Sequence, residues 1–330
     1  MRKESIYEAM QNDIMNANIS ENDKNKMLKN VMRLKNQKMN IMITGATGCG
    51  KSSTINAIFG TEVAEVGVGV DPETMEIRKY ELDNLVLWDT PGLGDGKEAD
   101  NRHAKNIIDK LLEVDENGNA LIDLVLVILD GGSRDLGTSY ELINKVIIPN
   151  FGEGKENRIL VAINQADMAM KGRNWNYDRN KPNWKLVNFL EEKVWSVQDR
   201  VYEATGIIVE PIYYSAGYKD GWGEQSRPYN LSKLLYYIVK ATPSEKRAIY
   251  VNNINENREM WRDDDKLLDY GEATRKSIFE SIRESASTGA DIGGAIGSIF
   301  GSTGETIGRC AGGVIGGAIG VIGGLVGLFF

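Results

Sequence analysis

The stretch Gly45-Ala46-Thr47-Gly48-Cys49-Gly50-Lys51-Ser52 constrains this chain more than any other. It follows a short apolar run at residues 40–44 and precedes a helical pattern at residues 53–59, so a glycine-rich turn joins a strand to a helix. Glycines let consecutive backbone N–H groups converge on an anion, and the helix N-terminus adds positive potential. Lys51 is placed to neutralise β- and γ-phosphate charge, the Ser52 hydroxyl to ligate Mg²⁺, and Ser53 to line the first helical turn.

Such a loop belongs on a parallel sheet, and the chain continues in that rhythm. Apolar runs at residues 85–88, 121–129, 159–164 and 207–214 alternate with helical patterns, which predicts a mainly parallel sheet flanked by helices. The run 75–82 lies beside 85–88 across Asp83-Asn84, as an antiparallel edge hairpin would. An inserted helix is expected at residues 186–204, with Val187, Leu190, Val194, Val197 and Val201 on one face. Upstream, Ile6, Met10 and Ile14, then Met27, Val31 and Leu34, predict two amphipathic helices within residues 3–37. The expected organisation is N-terminal helices at 1–38, a nucleotide-binding α/β domain at 39–242, a charged helical region at 243–288 and a glycine-rich tail at 289–330.

Further residues arrive in the order that a guanine nucleotide site requires. Asp89-Thr90-Pro91-Gly92 closes the run 85–88, where the Asp89 carboxylate can reach Mg²⁺ through water and the Gly92 N–H can sense a γ-phosphate. A second hydroxyl ligand for the metal is expected from Thr74, with Thr61 as the competing candidate. Asn164-Gln165-Ala166-Asp167 ends the run 159–164. The Asp167 carboxylate can accept from guanine N1 and N2, a pairing adenine does not offer, while Asn164 buttresses the loop. Ser215-Ala216 follows the run 207–214, so the Ala216 N–H is a candidate donor to guanine O6. The catalytic candidates are therefore Lys51, Thr74 and Gly92, and the metal candidates Ser52, Thr74 and Asp89.

Together GATGCGKSS, Thr74, DTPG, NQAD and SAG resemble the five motifs of translation-factor-class P-loop GTPases over residues 39–242, most of all the Era-like group of the ribosome-binding type. The phosphate loop is also similar to that of septin-like and immunity-related GTPases. The resemblance implies a G domain that binds GTP and GDP with Mg²⁺ and hydrolyses GTP. In that pattern Leu93 stands at the position of the catalytic glutamine of signalling GTPases, which implies slow turnover unless a partner or a second copy across the nucleotide face assists. Gln165 replaces the usual lysine, which reduces the cover over the base.

A net charge of -8 argues against wholesale electrostatic capture of nucleic acid, so a ribosome or RNA partner would have to be met locally. The basic and aromatic loop 170–185 is the place where that could happen, although its aromatics are expected to pack locally. Two distant cysteines imply no disulfide framework, and the start carries no apolar leader, so a cytoplasmic protein is expected. In the tail, glycines recur every fourth residue and Cys310 to Phe330 carries no charge, enough for the roughly 20 residues that cross a bilayer. A glycine-zipper contact with the inner face of a membrane is expected from it, as in a defence-type membrane effector, with a helical hairpin buried in the soluble fold and a disordered or oligomerising tail as the alternatives. His103 is expected to be solvated on a charged helix, and Asp263-Asp264-Asp265 to be a helix-surface or capping run.

Overall fold

The computed structural model describes residues 5–60, 76–94, 96–152, 154–218, 226–290 and 299–308. Its strands are β1 (Met39–Gly45), β2 (Arg78–Leu82), β3 (Leu85–Asp89), β4 (Leu124–Asp130), β5 (Ile159–Asn164), β6 (Trp175–Asn176), β7 (Lys181–Pro182) and β8 (Ile212–Tyr213). Six of them form one sheet in the order β2-β3-β1-β4-β5-β8, with β2 the antiparallel edge and the rest parallel. β1 and β5 are buried at every residue, as strands covered on both faces must be, whereas β2 alternates half-buried and exposed.

Strand periodicity sorts the core into two layers. Ile41, Ile43, Leu126, Ile128, Leu160 and Ala162 face one side, and Met42, Val125, Val127, Leu129, Val161 and Ile163 the other. The first layer is covered by α1 (Ile6–Asn16), α2 (Glu21–Asn36) and α3 (Lys51–Phe59). The second is covered by α4 (Lys97–Leu111), α5 (Gly137–Glu141), a π-turn at Leu142–Ile147, α6 (Ile148–Asn150) and α7 (Trp184–Thr205). α8 (Leu231–Ala241), α9 (Tyr250–Asn253) and α10 (Tyr270–Ser287) return to the first layer.

Local chemistry sets the helix ends. Ser5 and Glu8 close a reciprocal capping box on α1, and the Ser20 hydroxyl accepts from Asp23 N to start α2. Asn183 accepts from Lys185 N and Leu186 N to start α7, which Gly206 ends in a left-handed conformation at φ 71°.

Three expectations change. The run 207–214 forms a strand only at Ile212–Tyr213, because Pro211 has no N–H to give a ladder. The region after Pro243 is a 3₁₀ turn (Ser244–Ile249), α9, a second 3₁₀ turn (Arg258–Trp261) and a loop before α10. In that loop Asp263, Asp264 and Asp265 are tied inward rather than lying on a helix surface. Asn230 N donates to Asp263 O, Ser232 Oγ to Asp264, Tyr270 OH to Asp265, and Lys233 pairs with Asp265 at 2.7 Å.

Of the glycine-rich tail, residues 291–298 and 309–330 lie outside the described residues, and with them most of the expected glycine zipper and its membrane contact. The helix Gly301–Ile307 is described, and Asp13 of α1 accepts from the backbone N–H and hydroxyl groups of both Ser302 and Thr303 at its start. Among the described residues no helix is long and apolar enough to cross a membrane.

Candidate functional site

The phosphate loop runs from the end of β1 to the start of α3. Gly50 is left-handed at φ 90°, and a Cβ there would meet the Asn164 amide nitrogen at 2.3 Å, so only glycine fits. Lys51 Nζ bends back to donate to Gly45 O and Ala46 O, both at 3.2 Å, which holds the ammonium over the loop. Thr47 and Gly48 are exposed, Ala46, Ser52 and Ser53 half-buried, and Cys49 is buried. Burial pushes the Cys49 thiol up, so this cysteine is a core group and a poor nucleophile.

Parallel pairing sets Ile43 of β1 beside Asp89 of β3, so both strands end at the loop. Asp89 is 1% exposed, and burial outweighs the nearby Lys51 charge to push its carboxyl up to about 6. Its Oδ2 accepts from Ser52 Oγ at 3.4 Å, while Oδ1 has no hydrogen-bond partner. The hydroxyls of Thr44 and Thr90, at the same strand ends, are buried without partners too. The unsatisfied Asp89 carboxylate oxygen beside the Ser52 hydroxyl is oxygen chemistry suited to a hard cation, with the Lys51 ammonium as a nearby positive charge. The switch candidates Thr74 and Thr61 lie outside the described residues.

The loop after β3 is fastened on several sides. Thr47 N donates to Leu93 O at 3.0 Å, Thr90 N to Ile43 O at 3.0 Å and Gly94 N to Asp100 Oδ1 at 2.8 Å. Gly92 packs so closely on Thr47 that a Cβ would lie 2.3 Å from its hydroxyl and 2.5 Å from its backbone nitrogen. Leu93 is buried in the second apolar layer, so its side chain serves packing and does not face solvent. His103, expected to be solvated, is instead 2% exposed with Nδ1 2.9 Å from Gly92 O. Its helix turns it inward with Ile107 and Leu111, a four-residue spacing already present in the sequence.

The base-side residues meet the phosphate loop directly. Asn164 Nδ2 donates to Cys49 O and its Oδ1 accepts from Ala216 N, both at 2.9 Å, so one amide bridges two loops. Ala216 N–H, expected to meet a base oxygen, would therefore have to share that bond. Gln165, left-handed at φ 59°, sends Nε2 to Gly48 O at 2.8 Å, so the residue in the lysine position still ties to the phosphate loop. Asp167 is half-buried in the turn after β5, and Ser215 is paired through both backbone groups with Tyr229. Sequence patterning missed Lys193 of α7, whose ammonium donates to Asp130 O, Gly131 O and Ser133 O and pins the loop beside Asn164. Burial draws its pKa down, and no short motif marks such a contact across 60 residues. In the loop 170–185, Trp175 is buried edge-on against Tyr229 at 5.3 Å, while Tyr177 and Trp184 are exposed.

Residues 39–200 match the model of the AIG1 family. The chain is 29% identical over 148 residues to an uncharacterized protein of Escherichia coli K12, YkfA, covering 44% of this chain and 47% of that protein. It is 32% identical over 151 residues to Translocase of chloroplast 34 of Pisum sativum, covering 44% and 46% of the two chains. The chain thus spans about half the length of the curated relatives it matches. Among solved structures, Toc33 from Arabidopsis thaliana in complex with GDP and Mg²⁺ aligns at 16% identity and TM-score 0.43, over 74% of this chain and 98% of that one. The family whose model matches residues 39–200 is AIG1, and the Era-like placement read from the motifs is no part of that match.

Proposed function

We propose that this chain, whose residues 39–200 carry an AIG1-type G domain, binds GTP and GDP with Mg²⁺, hydrolyses GTP and switches with the γ-phosphate. The observation that carries this reading is the Asn164 bridge, which locks the loop bearing Asp167 to the phosphate loop, so that one ligand spans both. Backbone N–H groups of residues 45–50, those of Thr47 and Cys49 sharing their bonds to Leu93 O and Ala46 O, and the Lys51 ammonium would hold the phosphates, with Ser53 lining the helix start. Ser52 and Asp89, with Thr74 from the preceding loop, would hold Mg²⁺, which when bound neutralises charge on the β- and γ-phosphates. Asn164, Gln165, Asp167, Ser215 and Ala216 would shape the base site, and Gly92 would meet the γ-phosphate. Calorimetry on the full chain with Mg²⁺ tests this: GTP and GDP should bind at least about a hundredfold tighter than ATP, and equal heats for ATP would sink the reading.

Asp89 makes a second measurable contribution. Its folded pKa of about 6 lies above the ordinary 3.8, so without metal the folded state holds the extra proton between those values and stability falls as pH rises across that window. The buried charge then costs the nucleotide-free protein about 3 kcal/mol at neutral pH. Asp89→Asn should raise the melting temperature of the nucleotide-free protein at pH 7, yet abolish the further rise that Mg²⁺ adds to GTP. A variant that melts lower would refute the cost of the buried charge, and one that still responds to Mg²⁺ would remove Asp89 from the metal site.

With Leu93 packed inward, water must be oriented by another group, and a second copy across the nucleotide face is our reading of what supplies it. Specific activity should then rise with protein concentration. The uncharged glycine-rich tail supports membrane contact, to be tested by flotation with vesicles of the full chain against one ending at Thr288. A ribosome or RNA partner is the alternative, recognised by cosedimentation with ribosomes instead of vesicles.

A further inference from the structure

We infer that His103 is a positioning residue for the γ-phosphate-sensing loop, acting by donating from Nδ1 to the Gly92 carbonyl. The inference rests on the nucleotide site proposed above and deepens it. A carbonyl oxygen only accepts, so the 2.9 Å contact puts the proton on Nδ1 and fixes one tautomer of the chain's single histidine.

The contact is more than packing. His103 shares a buried stripe with Ile107 and Leu111, a position where an aliphatic side chain would satisfy the core at least as well. What the imidazole adds is a donor, directed at the one loop whose glycine would read the γ-phosphate. On its other side Gly92 lies against Thr47 of the phosphate loop, closer than any side chain permits. The Gly92 peptide is thus held between the phosphate loop and α4, and Asp100, one turn before His103, takes Gly94 N. Because α4 is anchored in the second apolar layer through Ile107 and Leu111, the contacts of His103 and Asp100 tie the loop after β3 to that layer as well as to the phosphate loop.

Removing the donor leaves a buried carbonyl unsatisfied and frees the Gly92–Leu93 peptide to turn. The consequence is selective. GDP has no γ-phosphate, so its affinity reports the rest of the site and is indifferent to Gly92.

The test uses the full chain with Mg²⁺ and three variants: His103→Leu, His103→Phe, which keeps an aromatic ring without the donor, and His103→Asn, whose amide nitrogen replaces Nδ1. Binding of GDP and of GMPPNP is measured by calorimetry, and GTP hydrolysis under single turnover. The leucine and phenylalanine variants should lose about tenfold in GMPPNP affinity and at least as much in hydrolysis, with GDP affinity within about twofold of wild type. His103→Asn should recover most of both. An unchanged ratio of GMPPNP to GDP affinity in the donor-less variants, or an equal loss of both nucleotides that asparagine does not rescue, overturns the inference. Wild-type protein that binds neither nucleotide overturns the site reading itself, and this inference with it.

Discussion

Replacing Asp167 with asparagine should weaken GTP binding on the order of a thousandfold, about 4 kcal/mol, and open the site to XTP. Guanine presents two N–H donors on one edge, and a carboxylate offers two acceptors to meet them. An amide keeps one acceptor and turns an N–H₂ toward the base, so a donor faces a donor. Xanthine carries a carbonyl where guanine carries the amino group, which turns that clash into a hydrogen bond. The loop is stiff enough to make the exchange selective: Ala166 N donates to Tyr214 O at 3.1 Å and Met168 N to Gln165 O at 3.0 Å, on either side of Asp167. Titration of the variant with GTP and XTP decides the matter, and GTP affinity within about threefold of wild type would take Asp167 out of the base site.

Lys51→Ala acts at the opposite end of the ligand. The ammonium is held over the loop by Gly45 O and Ala46 O, so its charge is already in position before the ligand arrives. Its loss should cost GTP binding on the order of a thousandfold, since charge-assisted bonds to phosphate in a partly enclosed site exceed neutral ones about twofold in strength. Guanosine, which carries no phosphate, should bind the variant as it binds wild type. Equal losses for GTP and guanosine would mean that Lys51 holds the loop together and does not bind the ligand. Because the two substitutions touch groups that make no direct contact and are joined only indirectly, through Asn164 and Gln165, their effects on GTP should add to within about 0.5 kcal/mol.

Much of the site is legible in the sequence because its signals are local. The phosphate loop declares itself through glycine spacing, and the five parallel strands through apolar runs whose period places alternate residues in two layers. The inserted helix appears at Trp184–Thr205, near its expected place at 186–204, because its apolar stripe and its Asn183 cap lie within one short segment. The final strand is shorter than its apolar run, because apolar content at residues 207–210 says nothing of the missing N–H of Pro211. The acidic run 263–265 escapes a local reading for a different reason. Three of its partners, Asn230, Ser232 and Lys233, lie more than thirty residues upstream in the chain, and a carboxylate's sequence neighbours do not reveal which cation it meets.

What the sequence determined by itself is the chemistry available: a phosphate-binding turn, a carboxylate at the end of each of two strands, and the order in which they arrive. Those depend on residue type and short-range periodicity, which act over a few residues and need no knowledge of the rest. What only the tertiary structure decided is which groups are held and which are free: Asn164 spanning two loops, Lys193 gripping three carbonyls, His103 turned onto Gly92 and Leu93 turned away from solvent. Each of these is a contact between segments far apart in the chain, formed when buried polar groups must find partners within a close-packed interior, and that requirement exists only once the layers have assembled.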